Sequence, residues 1–563
     1  MSADAYAAKP WLAQYAADRP ASIEVEFTDA LAMFRAALAR AADKPALRYF
    51  DGTLTYRELD ELSDALAVAL QERGFAEGDR LALFLQNVPH FIVGELAAWK
   101  AGGIAVPINP MNKTRELKLL LEDSGAKALL LHRHLYRDVA AEVLAQLDRP
   151  VLAIVASERE FQTRDDTRVL PADEAAPIAG TLEFQELIAA NRGKKPAGDP
   201  RYDKDDVALI VYTSGTTGVP KGAMNTHGNL GFTAQVYRDW INEDEGGPVY
   251  ALAPLFHITG LIGHIALAQI NAAPLGLTYR FDPAVTLEAI REYRPVFTIG
   301  AITAFIALMH APDAKREDLA SLKRIYSGGA AIPPSVVRQF EDKFGLTIYN
   351  AYGLTETTSP STATPQGAKA PVDPGSGSLS IGVPVYHTHI EILGDDGNPV
   401  AVGEVGEIAV SGPQVVKGYW QKPEETQRSL PGGRLNTGDV GFMDAGGYFF
   451  IVDRKKDMIN AAGYKVWPRE VEDVLYTHPA IREAAVVGIH DDYRGETVKA
   501  VVSFKPGMRA EPDELVAFCR ERMAAYKVPR VVIAIDELPK TPTGKILRRL
   551  LREEKPAATA ANA

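Results

Sequence analysis

The sequence predicts an α/β protein: a large N-terminal domain of layered α/β sheets with a small β subdomain, then a smaller α+β C-terminal domain. Three observations lead there. Strand-like and helix-like segments alternate from about residue 45 to 135, short β segments separated by Gly- and Asp-rich turns follow Tyr386, and α/β alternation resumes beyond Pro468. A chain of 563 residues also exceeds what one core organises, so at least two domains are expected.

Thr55-Tyr-Arg-Glu58 has capping-box spacing, and Leu59, Leu62, Leu66 and Leu70 recur at helical period until Gly74. A strand is predicted at Arg80–Leu85, a helix at Pro89–Lys100 stopped by Gly102-Gly103, a strand at Ile104–Ile108, a helix opening at Thr114 and a strand at Ala128–Leu131. From Glu158 to Asp205 the periodicity fades among Asp, Pro, Gly, Arg and Lys, which reads as a surface excursion. The apolar run Leu261–Leu277 is broken by His264, Gln269 and Asn271 and reads as buried core, not a membrane span. Strands follow at His389–Leu393 and Glu407–Val410, then a helix at Pro468–Thr477 and strands at Ala484–Gly488 and Lys499–Ser503. The low-complexity tail Ala557–Ala563 is expected to fray.

Apolar content of 46% and charged content of 24% fit an ordinary globular enzyme. With 61 basic and 73 acidic residues the net charge is −12, which argues against nucleic acid or an anionic membrane as a general partner. A single cysteine, Cys519, excludes an intrachain disulfide or a Cys-based metal centre and reads as a small buried apolar residue. The start, Met1-Ser-Ala-Asp-Ala-Tyr6, has neither the basic nor the apolar region of a secretory signal. A cytoplasmic protein without stable membrane insertion is expected. The oligomeric state is open, a homodimer being one candidate.

The segment richest in chemistry is Tyr212–Gly222, in which Thr213, Ser214, Gly215, Thr216, Thr217, Gly218 and Lys221 follow the apolar strand Val207–Val211. Glycines let amides face an anion, hydroxyls donate further bonds and lysine adds a point charge, so this is a polyphosphate loop. It is not the P-loop of NTPases. Counted from Gly215, Pro220 stands where Gly is required, and Gly222 stands where a metal-binding hydroxyl should follow Lys221.

Four more segments accompany it: Pro254-Leu-Phe-His257, Asn350-Ala-Tyr-Gly-Leu-Thr-Glu356, Thr437-Gly-Asp439 with Asp453–Asp457, and Pro539–Lys545. In this order and spacing the chain resembles the superfamily of acyl-CoA synthetases, amino-acid adenylation domains and beetle luciferases. The resemblance implies two half-reactions: a carboxylate attacks the α-phosphorus of ATP and expels pyrophosphate, then a thiol displaces AMP. It implies ATP and CoA as cosubstrates, Mg²⁺ as cofactor and a small-molecule carboxylic acid as substrate.

Carried onto this chain, the resemblance assigns the β- and γ-phosphates to Thr213–Lys221, the α-phosphate to Thr355, and Mg²⁺ to Glu356 with Thr216. Gly329, Ala330, Ala331, Asn350, Ala351, Tyr352 and Gly353 would line the adenine site. Asp439 would accept the ribose hydroxyls, with Ile451 and Arg454 beside it. Lys545 would be the catalytic cation, worth roughly 4 kcal/mol at about 4 Å and an effective dielectric of about 20. Lys456 would be the hinge between a domain spanning 1–455 and a mobile one spanning 456–563. After rotation Gly463, Tyr464 and Lys465 would meet CoA. The acyl pocket would run from His257 at its mouth past Gly328 and Gly329 toward Val383.

His257 stands where amino-acid adenylation domains usually carry aspartate, which disfavours amino acids. The stretch from Lys545 to Ala563 has no room for a carrier domain, so the thiol is expected in trans, as free CoA or on a separate carrier protein. The resemblance is closest to bacterial medium- and long-chain fatty acid ligases, with short-chain, hydroxy or aryl acids left open.

Overall fold

A computed structural model describes residues 2–17, 19–172, 176–213, 220–241, 246–454, 459–461, 464–491, 495–541 and 546–553. The predicted capping box closes: the Thr55 amide donates to Glu58 Oε2 at 2.7 Å and the Glu58 amide to Thr55 Oγ1 at 3.2 Å. The helix Tyr56–Gln71 therefore starts with two amides satisfied that helical pairing leaves open. It buries Leu59, Leu66 and Leu70 and packs on the helix Pro89–Lys100.

Among the described residues the strands form sheets of seven, nine, four and five. The seven-stranded sheet runs Leu182–Glu183, Leu152–Ala156, Ala128–His132, Arg80–Phe84, Ile104–Pro107, Val207–Thr213, Lys221–Thr226, parallel except for the last pair. Its central strands read as continuous apolar runs because helices cover both faces; Leu81–Phe84 and Leu129–Leu131 are fully buried. In the nine-stranded sheet the strands Val249–Tyr250, Phe297–Gly300, Arg324–Ser327 and Ile348–Tyr352 run parallel side by side, followed by antiparallel Thr362–Ala363 and Val383–Pro384.

The β subdomain expected after Tyr386 is an antiparallel sheet of His389–Leu393, Gly406–Ser411, Leu435–Met443 and Phe449–Arg454. It is tied to the nine-stranded sheet where the Ile381 amide and Ser380 Oγ both donate to the Phe449 carbonyl at 2.9 Å. The last sheet, built on the long pair Ile481–Asp491 and Gly495–Phe504, packs with the helices Pro468–Tyr476 and Pro512–Arg520. This is the mixed α/β architecture expected, with a smaller C-terminal unit.

The stretch 158–205 is not only a surface excursion: Leu182–Glu183 edges the seven-stranded sheet, and the helix Phe184–Asn191 buries Phe184, Leu187 and Ile188 against Tyr56–Gln71. A helix of eight residues between charged flanks is too short to show its period. The apolar run from Leu261 is buried as expected, as a π-helical segment Leu261–Ala266, a helical turn Leu267–Ile270 and the strand Leu275–Leu277. His264 there accepts from the Ala253 amide at 3.1 Å, and burial pulls its imidazole down to about 3, so it is a neutral core residue. No helix of the described residues is long and apolar enough to cross a membrane. Cys519 is buried, and burial pushes its thiol up to about 11. The tail 557–563 lies outside the described residues.

Candidate active site

The strands Val207–Thr213 and Lys221–Thr226 pair antiparallel with Thr213 opposite Lys221. The segment predicted to bind phosphate thus joins two strands, where a P-loop would open a helix. Ser214, Gly215, Thr216, Thr217 and Gly218 lie outside the described residues. Lys221 extends over the Tyr419 ring, 5.1 Å from its centroid, and its ammonium is bonded by Glu425 Oε2. The Tyr419 hydroxyl donates to Glu356 Oε1 at 2.8 Å.

Glu356 follows the strand Ile348–Tyr352 and is ringed by protein yet still touched by solvent. Burial holds its carboxyl above the ordinary range; Asp439 adds to the rise, while Tyr419 and Lys221 oppose it. The Thr355 carbonyl accepts from Asn225 Nδ2 at 3.1 Å, and the Glu356 carbonyl from the Val416 amide at 3.0 Å, so the turn is held by two segments remote in sequence.

Asp439 arrives from the β subdomain. The pairing of Gly406–Ser411 with Leu435–Met443 shifts register beside Thr437-Gly438-Asp439, and Gly438 takes φ 72°, a left-handed conformation that glycine adopts without strain. The irregularity brings Asp439 Oδ2 to the Tyr352 hydroxyl, which donates at 2.9 Å. Arg454 is the register partner of Asp439, and Ile451, buried, is the register partner of Gly441, its carbonyl taking Arg469 Nη1 at 3.1 Å.

Gly328 follows the strand Arg324–Ser327, where a Cβ would stand 2.5 Å from the Ala351 carbonyl oxygen. Gly329, with φ 78°, then leads through half-buried Ala330 and Ala331 into the helix Pro334–Phe344. Gly353 packs closely on Pro360, and Asn350 donates through Nδ2 to the Ser380 carbonyl at 2.9 Å. These residues stand at the carboxyl ends of neighbouring parallel strands, the usual ligand-binding edge of such sheets.

Beside Ala351 lies a narrow cavity lined by Val236, Tyr237, Trp240, Ile241, Tyr326, Ala351, Pro360 and Ala363. Val383 is the strand partner of Ala363 behind it. His257 caps a short helical turn, its Nδ1 accepting from the Thr259 amide at 3.3 Å. Neither His257, Gly328, Gly329 nor Val383 is among the lining residues, so this cavity does not coincide with the pocket read from sequence. Tyr464 and Lys465 lie on the strand Tyr464–Val466, whereas Gly463, Lys456 and Lys545 fall outside the described residues.

Among the described residues no three His, Cys, Asp or Glu side chains gather to hold a metal by themselves. Glu356 nevertheless fits Mg²⁺: it is a hard oxygen donor held in place through Oε1, and its Oε2 accepts no hydrogen bond from another described residue. A magnesium ion bound by one carboxylate completes its shell with phosphate oxygens and water.

Sequence reasoning does not single out Gly418–Thr426, although Tyr419 and Glu425 contact the site directly. The available signal is a glycine-tyrosine pair followed by Pro423-Glu-Glu-Thr426, a helix start with acidic residues in its first turn.

The AMP-binding enzyme family model matches residues 34–420, and the AMP-binding enzyme C-terminal domain model matches residues 470–545. The chain is 38% identical over 560 residues to a long-chain-fatty-acid–CoA ligase of Bacillus subtilis (strain 168), covering 97% of this chain and 98% of that protein. It is 37% identical over 510 residues to a feruloyl-CoA synthase of Amycolatopsis sp, covering 90% and 95%. Its fold superposes on the anthranilate CoA ligase AuaEII in complex with anthranoyl-AMP with a TM-score of 0.84 at 28% identity, covering 94% of this chain and 97% of that one. The chain belongs to the AMP-binding enzyme family and is an AMP-forming acid–CoA ligase.

Proposed function

We propose that this ligase activates fatty acids, joining them to free CoA. The observation that carries the substrate class is the cavity beside Ala351: its lining has no charged group, and its two phenols point to no fixed polar headgroup, Tyr237 being already bonded to Ser359 Oγ at 3.1 Å and Tyr326 to the Thr364 carbonyl at 3.3 Å. An apolar wall without an ion partner matches the character of an alkyl tail, and the cavity, about 10 Å³, must widen to admit one. The 38% identical B. subtilis relative bears a fatty-acid ligase name, which supports the same reading.

In the first half-reaction a carboxylate oxygen bonds to the α-phosphorus of ATP, and the bond from that phosphorus to the bridging oxygen of pyrophosphate breaks. Lys221, Thr213 and the hydroxyls Ser214, Thr216 and Thr217 hold the β- and γ-phosphates. Thr355 donates to the α-phosphate, and Asp439 accepts the ribose hydroxyls with Tyr352 fixing its orientation. Glu356, with Thr216, would hold Mg²⁺, which would offset phosphate charge. Lys545 stabilises charge developing around the α-phosphorus. In the second half-reaction the CoA thiol loses its proton and attacks the acyl carbon, and the acyl–oxygen bond to AMP breaks. Residues 1–455 form one domain and 456–563 the other, turning at Lys456 so that Gly463, Tyr464 and Lys465 replace Lys545 at the centre.

The aromatic side chains Tyr237, Trp240 and Tyr326 in the same wall favour a second reading, an aryl acid stacked among them. Pyrophosphate release and CoA-dependent thioester formation across saturated acids of increasing length, benzoate and ferulate separate the two. Turnover rising with alkyl length supports the fatty acid reading, and turnover confined to aryl acids overturns it. Adenylate formation without any CoA thioester would point to a separate carrier protein.

A further inference from the structure

The segment Val415–Gln421 forms a strap across the exit of the phosphate loop. The Trp420 amide donates to the Gly222 carbonyl at 2.7 Å, the Met224 amide to the Gly418 carbonyl at 2.9 Å, and the Val416 amide to the Glu356 carbonyl at 3.0 Å. The Tyr419 amide donates to Thr426 Oγ1 at 2.9 Å. Gly418 permits this approach: its φ is 146°, and a Cβ there would lie 2.6 Å from Thr426 Cγ2. Tyr419 is therefore held from both sides and is only 5% exposed. Its ring has little freedom to move.

That one side chain touches both Glu356 and Lys221. Its hydroxyl reaches Glu356, and Lys221 stands over its face. Lys221 then pairs with Glu425 Oε2, while the other oxygen of Glu425 takes Arg428. Glu425 lies on the helix Pro423–Ser429, outside the strap and partly open to solvent, so it can release the ammonium without disturbing Tyr419. A lysine stem is flexible enough to swing between two anions over the same ring.

We propose that Tyr419 is the positioning residue of the adenylation site, its hydroxyl holding the Glu356 carboxylate and its ring seating the Lys221 ammonium, with Glu425 as a carboxylate stand-in that nucleotide phosphate displaces. This rests on the ATP-dependent reading above. One side chain then sets the distance between the phosphate-binding cation and the metal-binding anion. Glu425 competes with the incoming triphosphate and keeps Lys221 paired in its absence.

The test uses the full chain and three variants, Tyr419→Phe, Tyr419→Leu and Glu425→Gln. Dissociation of a fluorescent ATP analogue is measured without acid, in Mg²⁺ and in EDTA, alongside the Mg²⁺ concentration for half-maximal pyrophosphate release. Glu425→Gln is expected to tighten analogue binding about threefold to tenfold in both conditions, with the KM for acid unchanged. Tyr419→Phe keeps the ring, so binding in EDTA stays within about twofold while the Mg²⁺ requirement rises about tenfold. Tyr419→Leu is expected to weaken both. A Tyr419→Phe enzyme with the wild-type Mg²⁺ requirement, or a Glu425→Gln enzyme that binds nucleotide more weakly, overturns the proposal. Should Tyr419→Leu fail to fold, the isosteric Tyr419→Phe and the surface Glu425→Gln still decide. A wild-type protein that binds nucleotide yet turns over no acid would sink the ligase reading, and the binding arms would still decide the role of Tyr419.

Discussion

The Tyr352 hydroxyl donates to Asp439 Oδ2 at 2.9 Å, joining the carboxyl end of a parallel strand to an irregular strand of the β subdomain. Asp439 is 8% exposed, and that bond is one of the contacts that hold its carboxylate. Tyr352→Phe should raise the KM for ATP about tenfold, as expected for losing one hydrogen bond to a charged group, with the KM for acid changed less than twofold. Steady-state pyrophosphate release at varied ATP measures it, and an unchanged KM for ATP would remove Tyr352 from the ribose site.

Lys545→Ala should lower adenylate formation about a thousandfold and spare thioester formation from pre-formed acyl-adenylate. Lys456→Pro should do the reverse, because proline restricts the backbone rotation required of a hinge. Single-turnover assays of each half-reaction check both. Equal losses in the two half-reactions would refute these roles and the division at 455/456.

Ala363 lines the cavity, so Ala363→Val should shorten the acyl chains accepted. The expected effect is a fall in kcat/KM for long-chain acids about tenfold greater than for short-chain ones, since one or two methylene equivalents in an apolar pocket carry roughly 1–3 kcal/mol. A parallel fall for every chain length would mean that the substitution harms packing rather than acyl binding.

Glu95 lies within the helix Pro89–Lys100 at 1% exposure, and its Oε2 has no hydrogen-bond partner among the described residues. Burial pushes its carboxyl up from 4.5 to about 8. A raised folded pKa means that the unfolded chain gives up this proton first, so stability falls as pH climbs from about 4.5 toward 8. At roughly 1.4 kcal/mol per pH unit the cost reaches about 3 kcal/mol by pH 7. Glu95→Gln stays neutral and should melt a few degrees above wild type at pH 8 and at the same temperature near pH 4. Differential scanning fluorimetry across that range checks the sign; identical pH profiles would show that Glu95 is not held neutral.

Much of the fold is legible in the chain because its signals are local. The Thr55–Glu58 box and the leucine period behind it announce Tyr56–Gln71, and Gly102-Gly103 ends the Pro89–Lys100 helix. Phe184–Asn191 is not legible, since its burial is supplied by a helix far earlier in sequence. The cavity shows the same limit: Val236, Tyr326 and Ala363 come from separate elements, and only sheet order sets them on one wall.

What the sequence by itself determined is the chemistry. The glycines, hydroxyls and lysine between Tyr212 and Gly222 mark an anion-binding loop, because residue type sets charge and hydrogen-bonding capacity, and the order of the motifs that contain Glu356, Asp439 and Lys545 marks the AMP-binding enzyme family. Only the tertiary structure decided that Tyr419 would stand between Lys221 and Glu356, that Glu425 would pair with that lysine, and that Tyr352 would orient Asp439. Those meetings span long stretches of chain, and they depend on backbone pairing and register. A one-residue slip of the strap at Tyr419 would turn its side chain to the other face.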